Sequence, residues 1–265
     1  MMWHWFRDYR RRKILATPFP SEWERHIQDN IQYYQHLDDD EKKRLQDLVQ
    51  IFIAEKDWLG CNGLELTDKI RVIIAAHACI MILALPNDYY RNVNSIYVYP
   101  TTVVSPERPI GFFEIATAPV RGPMPILGEA QHRGPVLLVW DAVKRETRHP
   151  EHGHNVVYHE FAHKLDMLDG SADGTPPLAT AEEYQRWSEV CSREYEELCD
   201  KVDHGEPTFL DSYGSTDETE FFAVATEYFF TRPGEMKHHH PNLYRVLQDF
   251  YRQDPARKVL ASPLP

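Results

Sequence analysis

Four cysteines are spread over 265 residues, and no two of them form a C-x-x-C pair. Cys61, Cys79, Cys191 and Cys199 therefore do not read as a zinc knuckle. A chain this long has no need of a disulfide framework, so a reducing compartment fits. Basic residues are also scarce: 29 against 41 acidic ones leave a net charge of −12. That deficit argues against direct nucleic-acid binding, because phosphates call for a basic footprint. Long apolar runs are missing too. The longest, residues 72–85, contains His77 and stops at Pro86, which suits a buried helix and is too short for a transmembrane segment. The start carries Arg7, Arg10, Arg11, Arg12 and Lys13 with no apolar core behind them, so it is not a secretory signal. The expectation is a cytoplasmic protein without internal repeats or low-complexity segments.

What is present is ordinary globular material, 42% hydrophobic and 26% charged. Asp38-Asp39-Asp40-Glu41 predicts a capped helix start, and Leu45, Leu48, Val49 and Phe52 follow at helical spacing. Thr67-Asp68 opens a second helix after a turn at residues 60–63. Strand signals come next, at 93–99 (extended through 101–104), at 111–118 and, strongest, at 136–140. Residues 119–135 and 141–152 read as loop. A helix over 180–201 points Tyr184, Trp187, Val190, Cys191, Tyr195 and Leu198 inward. Ser215 and Glu218 fit a capping box for a helix that runs to Phe230, and a last helix spans 242–252. The pattern predicts an α+β fold, a small mixed sheet between helical N- and C-terminal parts. The expected division is a tail (1–18), one domain (19–255, its ligand-bearing helical lobe from 151) and a C-terminal tail (256–265).

The chemistry concentrates in His159-Glu160-Phe161-Ala162-His163, an H-E-x-x-H pattern. Four residues turn a helix by about 400°, so His159 and His163 share one face, one turn apart. Two neutral imidazoles so placed match a tetrahedral zinc ion. Glu160 lies about 100° round the helix, too far to be a natural third ligand and well placed to take a proton from an attacking water. Val156, Val157, Tyr158, Phe161, Ala162 and Leu165 make the other faces apolar, so the polar stripe must be satisfied by something.

Two candidates compete for third ligand. Asp169, six residues after His163, would need the helix to break at Asp166, which is no breaker. Glu220 stands on a separate, mostly apolar helix, where a carboxylate needs a partner. Glu227, seven residues on at nearly the same azimuth, either stands behind a ligand or forms a salt bridge. Tyr213 is either a surface turn tyrosine or a donor to a developing oxyanion. Asp166 either holds a ligand imidazole in its tautomer or is a plain surface aspartate. Nothing ties His152, His154 or His204 to the site, and His238-His239-His240 reads as exposed loop.

The stretch His159 to Asp166, together with Tyr213-x6-Glu220-Phe221-Phe222-Ala223-Val224-x-x-Glu227-Tyr228-Phe229-Phe230, resembles the Mlc titration factor A family. These are bacterial cytosolic zinc metallopeptidases of the gluzincin class, also called DgsA anti-repressors. The resemblance covers about residues 20–255, including Gly134-Pro135-Val136 and Phe250-Tyr251-x-Gln253-Asp254-Pro255. The spacing Tyr-x6-Glu-Phe-Phe-Ala is also similar to the catalytic domain of anthrax lethal factor. The resemblance implies a zincin-like fold and one Zn2+ per chain on His159, His163 and Glu220. It implies Glu160 as general base, Tyr213 as oxyanion stabiliser and an aminopeptidase-type activity on peptide substrates. It further implies binding to the transcriptional repressor Mlc, which regulates the glucose phosphotransferase system. A non-catalytic regulator that sequesters a transcription factor is the alternative.

Overall fold

The fold is seen in a computed structural model, which describes residues 2–86, 88, 90–101 and 134–261. The expected strand at 111–118, the extension through 102–104 and most of the 119–135 loop lie outside those residues. Four helices and one strand come first: α1 (Met2–Leu15), α2 (Ser21–Asn30), α3 (Asp39–Glu55), β1 (Asp57–Gly60) and α4 (Asp68–Met81). Strands β2 (Ser95–Tyr99) and β3 (Val136–Val139) follow. The rest is helical: α5 (Trp140–Arg148), α6 (Val156–Asp166), α7 (Ala181–Asp203), α8 (Glu218–Thr231), α9 (Pro233–His239), α10 (Pro241–Tyr251) and α11 (Pro255–Ala261). The architecture is α+β and zincin-like.

Most helix starts obey local chemistry. Asp38 and Glu41 form a reciprocal capping box on α3, as do Thr180 and Glu183 on α7. Each such cap contributes about 1 kcal/mol. The start of α8 differs from the sequence reading. Ser215 closes a 3-10 turn (Ser212–Ser215), which moves the cap two residues on. Asp217 Oδ1 accepts the Thr219 and Glu220 N–H groups at 2.9 Å each.

The three described strands are all parallel, in the order β1-β2-β3, so the expected mixed sheet is corrected for these residues. Parallel neighbours need a crossover, and α4 supplies the one from β1 to β2. Strand β1 is only four residues long, and Leu59 on it is half exposed, so its pattern was too weak to read. Residues 141–148, expected as loop, form α5 together with Trp140, expected as the end of the strand. Trp140, Val143 and Glu146 recur every three residues on its buried face, and the polar face hid the periodicity.

Both expected tails carry helices. Arg11 grips Glu55 with two hydrogen bonds of 2.9 and 2.8 Å, and Arg10 donates to the Ala54 carbonyl. These cations sit on the last turn of α3, where the helix dipole favours them. At the other end, Ala256 is buried and Lys258 pairs with Glu41. Tyr184 is exposed, unlike the rest of the expected inner face of α7, where Trp187 and Leu198 are buried and Val190, Cys191 and Tyr195 pack against the core. Helix α4 is buried almost all round and forms the centre of the core. Against this frame α6 is wedged by Phe161, whose ring meets Tyr90 at 4.7 Å and Phe52 at 5.7 Å.

Candidate metal centre

The N-terminus of α6 is held by side chains at every free donor. Asn155 caps it, its Oδ1 accepting from Val157 N and Tyr158 N at 3.1 Å each. Glu146 Oε2, from α5, accepts from Val156 N at 2.7 Å. Glu227 Oε2, from α8, accepts from Asn155 N at 2.5 Å. The chain enters through Gly153, whose φ of 89° is left-handed and whose missing Cβ leaves room for the Tyr228 ring. Backbone donors that would otherwise be orphaned thus meet two buried carboxylates at the positive end of the helix dipole. Farther along, Lys164 Nζ donates to the Gly134 carbonyl at 3.2 Å and ties the helix to the start of β3.

One turn in, three ligand-type atoms converge. His159 Nε2 lies 3.2 Å from His163 Nε2, and Glu220 Oε2 lies 3.0 and 3.5 Å from the two nitrogens. A tetrahedral ion with bonds of about 2.0–2.1 Å has ligand–ligand edges of roughly 3.3–3.4 Å, so the triangle has the right size. Among the described residues this is the one cluster of three or more His, Cys, Asp or Glu whose ligand atoms lie within 4.8 Å of one another. Glu220 Oε2 is buried yet accepts no well-aligned hydrogen bond, which leaves it suited to a cation at the centre. The donor set of two imidazoles and a carboxylate fits zinc.

Glu227 completes the arrangement from behind. Its Oε1 sits 2.9 Å from His159 Nδ1. An ionised carboxylate only accepts, so the ring hydrogen belongs on Nδ1 and the Nε2 lone pair faces the triangle. Burial works against a charge on His159, but the Glu220 and Glu227 carboxylates outweigh it and hold its pKa well above the ordinary imidazole value. Burial likewise opposes ionisation of Glu220, and the two neighbouring imidazoles overcome it and pull that pKa far down. Glu160 is raised by burial, against the pull of the two imidazoles and Lys164. The Tyr213 phenol is pushed up by burial and then by Glu220, and its ring centre lies 6.0 Å from that of His159.

The remaining candidates fall elsewhere. Asp166 is fully buried, but its Oδ2 accepts from Gly174 N at 3.1 Å and so pins the loop after α6. Asp169 folds back on Ser171 in an exposed turn, outside the triangle. His154 faces Asp211 at 3.6 Å, His152 is exposed beside Glu151, and His204 meets the Asp200 carbonyl. The run 238–240, expected as loop, closes α9, and His240 Nδ1 reaches the buried Glu194 at 2.7 Å. Sequence reading missed Asn155 and Glu146. An Asn just before an apolar helical run is a recognisable cap. Glu146 gave no signal while its helix read as loop.

A family model described as glucose-regulated metallo-peptidase M90 matches residues 5–252. An uncharacterised protein of Synechocystis is 36% identical over 258 residues, 95% of this chain and 90% of the relative. Mlc titration factor A of Serratia proteamaculans is 31% identical over 226 residues, 84% of each chain. Mlc titration factor A of Klebsiella pneumoniae is 30% identical over 227 residues, 84% of this chain and 83% of the relative. With a match that spans nearly the whole sequence and carries its H-E-x-x-H helix, the chain belongs to the glucose-regulated metallopeptidase family M90.

Proposed function

We propose that this chain is a zinc-dependent peptidase of aminopeptidase type, with His159, His163 and Glu220 holding one zinc ion. The family implies a metal ion. The observation that carries the reading is the triangle of Nε2, Nε2 and Oε2 with edges of 3.0–3.5 Å. Zinc bound there supplies Lewis acidity, which makes water a better nucleophile near neutral pH and polarises the substrate carbonyl. Glu160, one residue from His159 and raised above the ordinary carboxylate range, takes the proton of the attacking water and passes it to the leaving amine. Tyr213 keeps its phenol proton and donates it as a hydrogen bond to the developing oxyanion. Glu227 keeps the hydrogen of His159 on Nδ1. Among the described strands β3 is a sheet edge, and an extended peptide laid along it is part of this reading.

A second reading is favoured by the name Mlc titration factor A carried by the relatives. In it the chain binds a repressor of the Mlc type, and its net charge of −12 suits a basic partner face. No described helix is long and apolar enough to cross a membrane; a cytoplasmic site of action belongs to this proposal. Zinc content and peptide hydrolysis, measured side by side, test the first reading. Glu160→Gln is expected to keep zinc and lose turnover, and Glu220→Ala to lose both. Unchanged hydrolysis by Glu160→Gln would remove the mechanism. Equal capture of a purified Mlc-type repressor by wild type and Glu160→Gln would show binding without chemistry.

A further inference from the structure

We propose that the cleft beside Tyr213 receives a bulky, uncharged, ring-bearing side chain of the peptide next to the bond that is cut. This rests on the peptidase reading above and names the substrate class for it. The cleft encloses about 700 Å³, within the usual range for ligand pockets. It borders the reaction site through Tyr213, which lines it and whose ring centre lies 6.0 Å from that of His159. A substrate held at the triangle therefore has a neighbouring side chain within reach of this space.

The wall decides what fits. Its polar and charged groups already have neighbours of their own: Arg145 pairs with Glu146 at 3.1 Å, and His154 lies 3.6 Å from Asp211. His149 and His152 both lie against Glu151, at 3.0 and 3.8 Å. Glu146 is further committed to the Val156 amide. A charged side chain entering the cleft would lose water and find its counter-charge already engaged. Flat surfaces, by contrast, are plentiful. His149 and His152 stack at 5.5 Å with 14° between their planes, and Val202 and the Tyr213 ring add apolar wall. Rings gain most from such neighbours, and a small side chain would leave most of the volume to water.

The test uses tetrapeptide amides X-Gly-Gly-Gly with X as Phe, Ala, Asp or Lys, which put X beside the first bond an aminopeptidase cuts, on the zinc-loaded enzyme. The Phe peptide is expected to show kcat/KM on the order of ten-fold or more above the Ala peptide, with Asp and Lys lowest. In Val202→Asp and in His152→Ala the Phe-to-Ala ratio is expected to fall several-fold. A preference for Asp or Lys, or a Phe-to-Ala ratio unchanged in both variants, would overturn the proposal. A second measurement does not need turnover. Zinc-loaded Glu160→Gln is titrated with the same peptides while the imidazole proton signals of His149 and His152 are followed by NMR. Shifts with the Phe peptide and none with Asp support the cleft even if wild type cuts no peptide, an outcome that sinks the hydrolytic reading alone. No shift with the Phe peptide overturns the cleft.

Discussion

Replacing Glu227 by glutamine exchanges one acceptor for one donor at a place where both neighbours are donors. Glu227 is 1% exposed, with one oxygen on Asn155 N–H and the other 2.9 Å from His159 Nδ1. If the glutamine oxygen stays with Asn155, its NH2 faces Nδ1. The imidazole then prefers the tautomer with its hydrogen on Nε2, the atom that must face the metal. Binding metal forces N–H against N–H, a cost of about 1–3 kcal/mol for the unmade bond. That converts to roughly 5- to 150-fold in affinity at 1.4 kcal/mol per decade, in line with the roughly 10- to 100-fold effects of groups that orient metal-binding imidazoles. If the oxygen turns to His159 instead, NH2 meets Asn155 N–H, and a similar cost falls on the start of α6. Each kcal/mol then lowers Tm by roughly 2–4 °C in a chain of this size. The two outcomes separate experimentally. The first weakens zinc in competition with a chromogenic chelator and, above the folded pKa of His159, leaves the zinc-free Tm nearly unchanged; the second lowers Tm with and without zinc. Affinity within two-fold of wild type together with an unchanged Tm would refute the reasoning.

Three further outcomes are expected. Burial pushes the Asp166 carboxyl up to about 6. Its folded pKa thus exceeds the unfolded value of about 3.9, so ionisation opposes folding by roughly 3 kcal/mol above pH 6, a cost that fades as pH falls toward 4. Asp166→Asn should raise the Tm of the zinc-free protein at pH 8 and not at pH 4, and an equal gain at both would count against the account. Gly153→Ala combines a φ of 89° with a Cβ 2.6 Å from Tyr228 Cζ, and should lower Tm by roughly 5 °C or more. Gly170→Ala, with a φ of 104° and open space, should lose clearly less in the same melts. Finally, the raised pKa of His159 stabilises the zinc-free protein below its unfolded pKa and is lost as pH rises through the folded one. The Tm gain on adding zinc should therefore grow from pH 6 to pH 9, and a gain that shrinks with pH would contradict the electrostatics.

Much of this was legible because helices repeat. The four-residue step puts His159 and His163 on one face wherever the helix forms, and the apolar neighbours of Glu220 marked its helix as buried. The cap at Asp38 acts within three residues and was readable, as was the start of a helix at residue 180. What stayed hidden depends on partners far along the chain. Arg11 does not reveal that Glu55 awaits it, so α1 read as tail. Glu146 and Glu227 meet α6 from opposite directions in sequence, ten residues before and 72 after their amide partners. His240 owes its place to Glu194, 46 residues away. The capping shift from Ser215 to Asp217 arose from a competing 3-10 turn, a local choice that composition alone does not decide.

The balance of charge around α6 argues that the constellation is kept for chemistry. Glu146 and Glu227 are close enough that Glu227 helps raise the pKa of Glu146, so placing both there works against stability. Backbone amides at the helix start offset that cost for the Glu146 and Glu227 oxygens that reach them. Among the described residues no such amides serve Glu160 and Glu220 one turn on, where the neighbouring groups are the two imidazoles and, for Glu160, Lys164. A fold selected only for stability would fill this space with apolar side chains, since buried ion networks seldom beat well-packed hydrophobic ones. The carboxylates become favourable when a cation occupies the centre, a proton on His159 or a divalent ion on all three ligand atoms. The same negative surroundings that raise the His159 pKa would draw the ion in, so proton and metal compete for one place and the site trades stability of the bare protein for affinity.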